Sequence, residues 1–251
     1  MEPPVYALFS GGHDSLISTY NAMEHGDAKT VVHIDTGIAI PETQQFVRET
    51  CSQMGWPLEF VSSNFDYTDI VLEHQFPGPA VHIIMYSKLK ERALRTVACR
   101  HDDVQPILVT GVRRDESDRR FRNVKPHQQG DMWVWHANIH DFTVADVENH
   151  IDDYGLRRSP VKQQYHHSGE CLCGAFGNRT EELAVLEAHY PATYERIMAL
   201  ETKVQDRHGT DDVRSYWAHG GMSSIDLRAL LADNDESQMM LCASCDHEAT
   251  Q

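Results

Sequence analysis

The hydrophobic positions in the first 110 residues form short apolar runs separated by longer amphipathic stretches. Apolar runs, several of them rich in β-branched side chains, predict buried strands at 5–10, 30–34, 58–61 and 107–110. Between them, apolar residues recur three or four positions apart, which is typical of helices that pack one face against a core. These stripes are Leu16, Tyr20 and Met23; Val47, Cys51 and Met54; and Tyr86, Leu89, Ala93 and Val97. Strands that alternate with such helices predict an α/β fold with a doubly wound parallel sheet.

The pattern changes in the second half of the chain. Thr143 and Asp146 have the spacing of a capping box, which predicts a helix start, and Gly155 is placed to end that helix. No strand pattern follows residue 160, so we predict two regions, an α/β region over 1–165 and a helical region over 166–251.

The helical region contains several local signals. Helices are predicted at 179–190 and 192–205, with Pro191 between them. The polar, glycine-containing stretch 206–222 is predicted to be a loop or a lid. A second capping box, Ser223 and Asp226, precedes a further leucine stripe.

Composition and charge narrow the possible function classes. With 41% hydrophobic and 24% charged residues, the 251-residue chain has the composition of a soluble globular protein. The longest apolar run, 81–86, is far too short to span a membrane, and the N-terminal decapeptide lacks the basic segment of a signal peptide. We therefore expect a cytoplasmic protein that does not contact membranes. A net charge of −16 repels phosphate backbones, so nucleic acid is expected at most as a local substrate.

The sequence Ser10-Gly11-Gly12-His13-Asp14-Ser15 directly follows the first predicted strand and opens the first predicted helix. Two glycines allow the backbone to turn sharply and approach an anion closely. The helix N-terminus then offers unbonded N–H groups and the positive end of the helix dipole. These residues indicate a phosphate-binding turn. An ordinary glycine turn with an Asp or Ser cap is the alternative reading of the same residues.

Residues 113–122, with the sequence RRDESDRRFR, concentrate five arginines in an acidic protein. Arginine makes bidentate contacts with phosphate or sulfate, so the cluster is a candidate anion site. The alternative is a solvated face in which the arginines pair with the neighbouring acidic residues. Gly111, which closes the fourth predicted strand just before the cluster, favours anion binding.

Three motifs, in order along residues 5–175, resemble a known family. The first, SGG-x-DS at 10–15, is similar to the PP-loop of the N-type ATP pyrophosphatases. The second, Asp35-Thr36-Gly37 followed by Pro41-Glu42-Thr43, resembles the DTG…PET segment of the phosphoadenylyl-sulfate (PAPS) reductase family. The third, 111–117 with Arg119 and Arg120 behind it, is similar to the GxRRxES segment of that family.

The resemblance implies a five-stranded parallel sheet in a domain over 1–165, with an adenine nucleotide at the carboxyl ends of its strands. It implies that Ser10, Gly11, Gly12, Asp14 and Ser15 hold the phosphates that leave as pyrophosphate. It also implies that Asp35, Thr36 and Gly37 lie near the nucleoside, with Gly111 in the same nucleotide site, and that Arg113 and Arg114 meet phosphate or sulfate. Asp14, Ser15, Arg113 and Arg114 are the candidate catalytic residues.

Four cysteines fall in two close pairs, Cys171 with Cys173 and Cys242 with Cys245. Four thiolates in this arrangement suit a [4Fe–4S] cluster or Zn²⁺ equally well in number. The layout is similar to the CC…CxxC pattern of the adenylyl-sulfate (APS) reductases, except that one residue separates the first pair. Cys51 and Cys99 are predicted to be core residues.

The resemblance implies an enzyme that binds ATP with Mg²⁺, the ion being held by the phosphates and a carboxylate such as Asp14. It would cleave ATP between the α- and β-phosphates, adenylate an acceptor and release pyrophosphate. Such activation often precedes sulfur insertion, with a sulfur donor of the cysteine desulfurase type and a nucleic acid or nucleobase as acceptor.

Reduction of PAPS or APS is an alternative. The chain departs from the reductases because it lacks their C-terminal Glu-Cys-Gly-Leu-His tail and because Asp14 is typical of the ATP-cleaving branch. A nucleotide-binding subunit without catalytic activity is a third possibility.

Overall fold

The computed structural model describes residues 2–101, 103–116 and 124–219. Within those ranges the strands are β1 (Val5–Leu8), β2 (Thr30–Asp35), β3 (Leu58–Ser62), β4 (Ile107–Val109), β5 (His127–Gln129) and β6 (Val134–His136). The helices are α1 (His13–Tyr20), α2 (Pro41–Met54), α3 (Tyr67–His74), α4 (His82–Tyr86), α5 (Arg92–Ala98), α6 (Val144–Asp153), α7 (Pro160–Tyr165), α8 (Arg179–His189) and α9 (Pro191–His208).

The described strands form one sheet in the order β3-β2-β1-β4-β6-β5. Five of them run parallel, as predicted, and β5 pairs antiparallel with β6 at the edge. The predicted α/β class is therefore confirmed, and the five-stranded count is corrected to six. The 127–136 hairpin escaped prediction because its strands have three residues each and β5 reads His-Gln-Gln, which carries no apolar run.

Helices cover both faces of the sheet. On one face, Leu8, Val32 and Leu108 pack with residues of α5 such as Leu94. On the other, Phe9 and Val31 pack against α1, α2 and α6 through residues that include Leu16, Ile17, Phe46, Val47 and Ile151. Burial on both faces explains why the central strands read as continuous apolar runs instead of alternating patterns.

The strand order reverses at β1. The chain moves outward from β1 to β2 and β3, and then returns to the opposite side of β1 with β4. The loops that leave β1 and β4 therefore diverge and open a crevice between them. In open α/β sheets this switch point is where ligands bind.

The capping box at Thr143 is confirmed. The Thr143 side chain accepts a hydrogen bond from the Asp146 N–H at 3.2 Å, and the Asp146 carboxylate accepts one from the Thr143 N–H at 2.8 Å. The helix ends at Asp153, and Gly155 follows with φ +62°, which suits a helix C-terminus. The sequence predicted the start of this helix because both partners of the capping box lie within one helical turn.

The two long helices of the second half fall at the predicted positions, and Pro191 opens α9. They pack on α3 and α7 in a hydrophobic cluster that also includes Ile38 and Ile40. α9 runs three residues beyond the predicted end. Residues 209–219 contain one 3-10 turn, Val213–Ser215, and are anchored by Trp217, which is fully buried and donates from Nε1 to the Leu172 carbonyl at 2.8 Å. The Ser223 and Asp226 capping box lies outside the described residues.

The two isolated cysteines, Cys51 and Cys99, differ in burial. Cys51 lies in the core against α1, as predicted, and burial raises the pKa of its thiol to about 12. Cys99 caps the end of α5 and is exposed, so its prediction as a core residue is wrong. Among the helices in the described ranges, none combines the length and the apolar content that a membrane span requires.

Candidate functional site

A cleft with a cavity volume of about 100 Å³ opens to solvent at the switch point of the sheet. Its floor is apolar and comes from strand residues Leu8, Val32 and Ile34. Its polar walls come from the turn after β1, the loop after β4, a segment of the second half, and Lys90 between α4 and α5. These wall residues are Ser10, Gly12, His13, Asp14, Ser15, Lys90, Thr110, Gly111, Lys162, His167, Ser168 and Glu170. The combination of an apolar floor with polar walls is typical of a site for a small organic anion.

The turn after β1 has the geometry of a phosphate-binding loop. Gly11 has φ +86°, and a Cβ there would lie 2.8 Å from Thr43 Cγ2, so glycine is required. Gly12 is the N-cap of α1, and no side chain caps this helix end. Ser15 Oγ donates to the Gly12 carbonyl at 3.0 Å and lies 2.9 Å from Ser10 Oγ, so the Ser10 hydroxyl donates to Ser15. The uncapped N–H groups of the first turn are suited to an anion.

The loop after β4 lies directly against this turn. A Cβ on Gly111 would come within 2.7 Å of the Asp14 carbonyl carbon and of the Ser15 N and Cα atoms. These are backbone atoms, so no side chain at position 111 fits without moving α1. Gly111 thus allows the β4 loop to form the second wall of the cleft.

The two candidate arginines occupy different positions. Arg113 is buried, and its Nε donates to Asp14 Oδ1 at 2.7 Å, so it ties the β4 loop to the first turn of α1. Arg114 is half-exposed and pairs with Asp141 at 3.1 Å. Neither lies among the described residues that line the cleft. Arg119 and Arg120 fall outside the described residues.

The DTG and PET residues anchor a second segment of the chain. Asp35 Oδ1 accepts from the Gly37 N–H and from Gln44 Nε2, both at 3.0 Å. Thr36 Oγ1 donates to the Glu170 carbonyl at 2.7 Å, and Thr43 Oγ1 donates to the Ser168 carbonyl at 2.6 Å. Asp35, Thr36 and Gly37 are not among the described residues that line the cleft, and Thr36 and Thr43 hold the segment that forms its far wall.

Two side-chain pairs at the cleft, one ion pair and one hydrogen-bonded histidine–glutamate pair, were not predicted from the sequence. Lys90 Nζ lies 2.8 Å from Glu170 Oε2, and both side chains are more than 90% buried. His13 Nδ1 lies 2.6 Å from Glu148 Oε1. The partners are separated by 80 and 135 residues, so no local pattern joins them.

A second cavity of about 50 Å³ adjoins the cleft and shares His167 and Ser168 with it. Half-buried Cys171 and buried Cys173 line it. Tyr67 donates to the Cys173 carbonyl at 2.9 Å, and burial, with the nearby Cys173 and Cys171, raises the Tyr67 pKa well above its ordinary value. Over the described ranges no three His, Cys, Asp or Glu side chains are grouped as metal ligands. Cys242 and Cys245 lie outside those ranges.

Comparisons with known proteins place the chain in a family. A search of curated proteins finds an uncharacterized protein of Methanocaldococcus jannaschii, 28% identical over 116 residues, or 45% of this chain. The chain spans about half, 52%, of that relative's length.

A comparison with solved structures finds two that this chain resembles. A PAPS reductase of Candida auris, in a phosphate complex, has a TM-score of 0.49 and 13% identity, covering 65% of this chain and 78% of its own. The FMN adenylyltransferase of Candida glabrata, in complex with FAD and inorganic pyrophosphate, has a TM-score of 0.47 and 10% identity, covering 94% and 79%.

The family comparison is the decisive one. The model of the phosphoadenosine phosphosulfate reductase domain matches residues 4–169, well over half of the chain and all three sequence motifs. The chain therefore belongs to the phosphoadenosine phosphosulfate reductase domain family, a PAPS reductase-like branch of the PP-loop superfamily.

Proposed function

We propose that this protein binds ATP in the cleft between β1 and β4, cleaves it between the α- and β-phosphates and adenylates an acceptor. The observation that carries the proposal is the uncapped first turn of α1, which opens into a cleft with an apolar floor. An aromatic base requires an apolar surface, and a polyphosphate requires N–H donors. The cleft offers both within one volume.

The proposal gives the nucleotide one direction in the cleft. Leu8, Val32 and Ile34 would contact the adenine, while the turn at 10–15 would bind the phosphates. Lys162, which also lines the cleft, contributes positive charge within a chain of net charge −16, whereas the charge of Lys90 is balanced by Glu170. Local positive charge inside an acidic surface favours a small anion over a long polyanion.

The proposed step is an in-line displacement. An anionic oxygen of the acceptor attacks the α-phosphorus, the bond from that phosphorus to the α,β-bridging oxygen breaks, and pyrophosphate leaves with the electron pair. Backbone N–H groups of the first turn stabilise the charge that develops on the leaving group, and the Ser10 and Ser15 hydroxyls would join them by rotating from their contacts within the turn toward the phosphates. Mg²⁺ bound to the phosphates would neutralise part of the same charge. Arg113 acts indirectly, because its contact with Asp14 fixes the turn relative to the β4 loop.

We also propose that the activated acceptor receives sulfur, from a protein donor of the cysteine desulfurase type. Support comes from the thiol-bearing segment, since the cavity lined by Cys171 and Cys173 shares two residues with the nucleotide cleft. In this proposal Cys171 and Cys173 act with Cys242 and Cys245 as ligands of a [4Fe–4S] cluster or of Zn²⁺. Metal analysis and an absorption spectrum of anaerobically purified protein test that assignment, and the absence of both iron and zinc would overturn it.

Product analysis with Mg-ATP and candidate acceptor oxyanions tests the main proposal. We expect AMP, or an adenylated acceptor, together with pyrophosphate. ADP and orthophosphate would contradict the proposal, as would no cleavage with any acceptor. Sulfite formation from PAPS with a thiol donor would favour the reductase alternative instead.

A further inference from the structure

His13 occupies the variable position of the SGG-x-DS motif, and its ring is held at the cleft. The side chain is buried, and the residue lines the cleft together with Gly12 and Asp14. Its Nδ1 atom lies 2.6 Å from Glu148 Oε1 on α6. Its Nε2 atom is buried and has no hydrogen-bond partner among the residues that the structure describes.

The contact with Glu148 determines which ring nitrogen carries a proton. A carboxylate accepts hydrogen bonds, so Nδ1–H is the donor in this pair. Glu148 is itself fixed, since Arg158 Nε lies 3.2 Å from its Oε2 atom. The ring is therefore held in one orientation, with Nε2 as the atom whose partner is missing. When the ring carries a proton on both nitrogens, Nε2 is a second donor, and the contact with Glu148 fixes its direction.

Burial makes an unpartnered Nε2 significant. Buried polar atoms in native proteins almost always have a partner, and an exception at a ligand cleft points to a partner supplied by the ligand. His13 lies in the first turn of α1, where the uncapped N–H groups already favour an anion. An anionic oxygen is the ligand atom that suits Nε2–H as a donor, while the Glu148 carboxylate accepts from Nδ1–H on the other side of the ring.

We propose that His13 is a phosphate-binding residue of this cleft, with Nε2–H donating to an oxygen of the phosphates that leave as pyrophosphate. Glu148 is the positioning residue that holds the ring through Nδ1. This inference rests on the proposed function, because it assumes that a nucleotide polyphosphate occupies the turn. It adds a specificity element, since His13 discriminates ligands that carry β- and γ-phosphates from those that do not.

Calorimetric titrations with ATP, inorganic pyrophosphate and AMP test this assignment. A charge-assisted hydrogen bond corresponds to roughly a 10- to 100-fold change in affinity. We expect His13→Ala to weaken ATP and pyrophosphate binding by about that factor and to leave AMP binding unchanged. His74→Ala, which removes an exposed histidine at the end of α3, serves as the matched control and should bind all three ligands like the wild type.

Two further variants separate binding from folding. His13→Asn retains a donor toward Glu148 but has no atom at the Nε2 position, so it should lose pyrophosphate affinity as His13→Ala does. His13→Gln places an N–H near the Nε2 position and should recover part of the pyrophosphate affinity. Thermal unfolding identifies any variant that fails to fold. If His13→Asn and His13→Gln are equally stable, the difference between their pyrophosphate affinities tests the role of Nε2.

The outcomes distinguish this inference from the proposed function. Wild-type protein that binds neither ATP nor pyrophosphate would overturn the function on which the inference rests. Wild-type binding that weakens on substitution of Gly12 but is unchanged in His13→Ala and His13→Asn would overturn the role of His13 alone. Equal losses for AMP and pyrophosphate would show a structural role and would likewise overturn it.

Discussion

His33 is a buried residue of the sheet whose protonation makes the stability of the protein depend on pH. It lies on β2 with no exposed surface, its ring packs 4.7 Å from that of Phe60, and its Nδ1 donates to the Phe9 carbonyl at 2.7 Å. Burial lowers the pKa of this imidazole from its ordinary 6.5, although the nearby carboxylate of Glu170 opposes the shift. The folded protein therefore holds His33 neutral at pH values where the unfolded chain is protonated.

This state predicts a loss of stability on acidification. Below pH 6.5 the unfolded state binds a proton at residue 33 that the folded state does not, so the free energy of unfolding falls as the pH falls. The slope for one proton is about 1.4 kcal/mol per pH unit. Between pH 7.5 and 5.5 we expect the wild type to lose about 1 kcal/mol more than His33→Asn, which keeps a donor toward Phe9. Urea unfolding at the two pH values measures the difference, and equal losses in both proteins would contradict the prediction.

At the scale of elements, the helix that begins at His82 contains an irregular turn beside the cleft. The helical path from α4 to α5 passes through a π-helical turn, Ser87–Glu91, in which Leu89, Lys90 and Glu91 are all buried. π-turns inside helices are frequent at functional sites. Here the turn places Lys90 against Glu170, so one ion pair connects the first half of the chain to the thiol-bearing segment.

Removing one partner of this pair should be costly. A buried ion pair that loses one member leaves an uncompensated charge, which typically destabilises by about 3–5 kcal/mol. We expect Lys90→Met and Glu170→Leu each to lower the free energy of unfolding by about that amount. The double variant should recover most of the loss, because it leaves no buried charge at this pair. Denaturant unfolding of all four proteins measures the coupling, and additive losses in the double variant would contradict it.

The elements that the sequence predicted are those whose signals are local. The Thr143 capping box, the Pro191 helix start and the glycine turn at 10–15 each lie within a few residues, and the structure places the helix starts there. The edge strand β5 has no apolar pattern, so pairing with β6 defines it. The partners of Thr36 and Thr43 lie more than 120 residues away, at Glu170 and Ser168, and only the folded chain brings them together.

For the whole molecule, the order of the three motifs along the chain predicted the position of the cleft better than any single motif did. Each motif follows a strand, and parallel strands bring their carboxyl ends to one edge of the sheet, which places Ser10, Gly12 and Gly111 at one cleft. Sequence order did not predict that Arg113 would turn toward Asp14, because that contact depends on the path of the β4 loop. The sequence therefore predicted where the site lies better than how its charges are paired.

The central claim is that the turn at 10–15 binds the phosphates of ATP, and Gly12 offers a direct test. Its φ of −85° is accessible to alanine, and an added Cβ would lie no closer than 3.4 Å to any neighbour, so Gly12→Ala should fold. The methyl group would project where the phosphate must approach. As a control, Gly155→Ala forces alanine to φ +62° beyond α6, away from the described cleft lining, at a cost of about 1–2 kcal/mol.

Calorimetric titration of Mg-ATP into the wild type and these two variants is the deciding measurement. We expect Gly12→Ala to bind Mg-ATP at least about 10-fold more weakly, as expected for loss of a charge-assisted contact, with stability reduced by less than about 1 kcal/mol. Gly155→Ala should show the reverse, with reduced stability and wild-type affinity. Wild-type affinity in a folded Gly12→Ala protein, or no Mg-ATP binding by the wild type, would contradict the account.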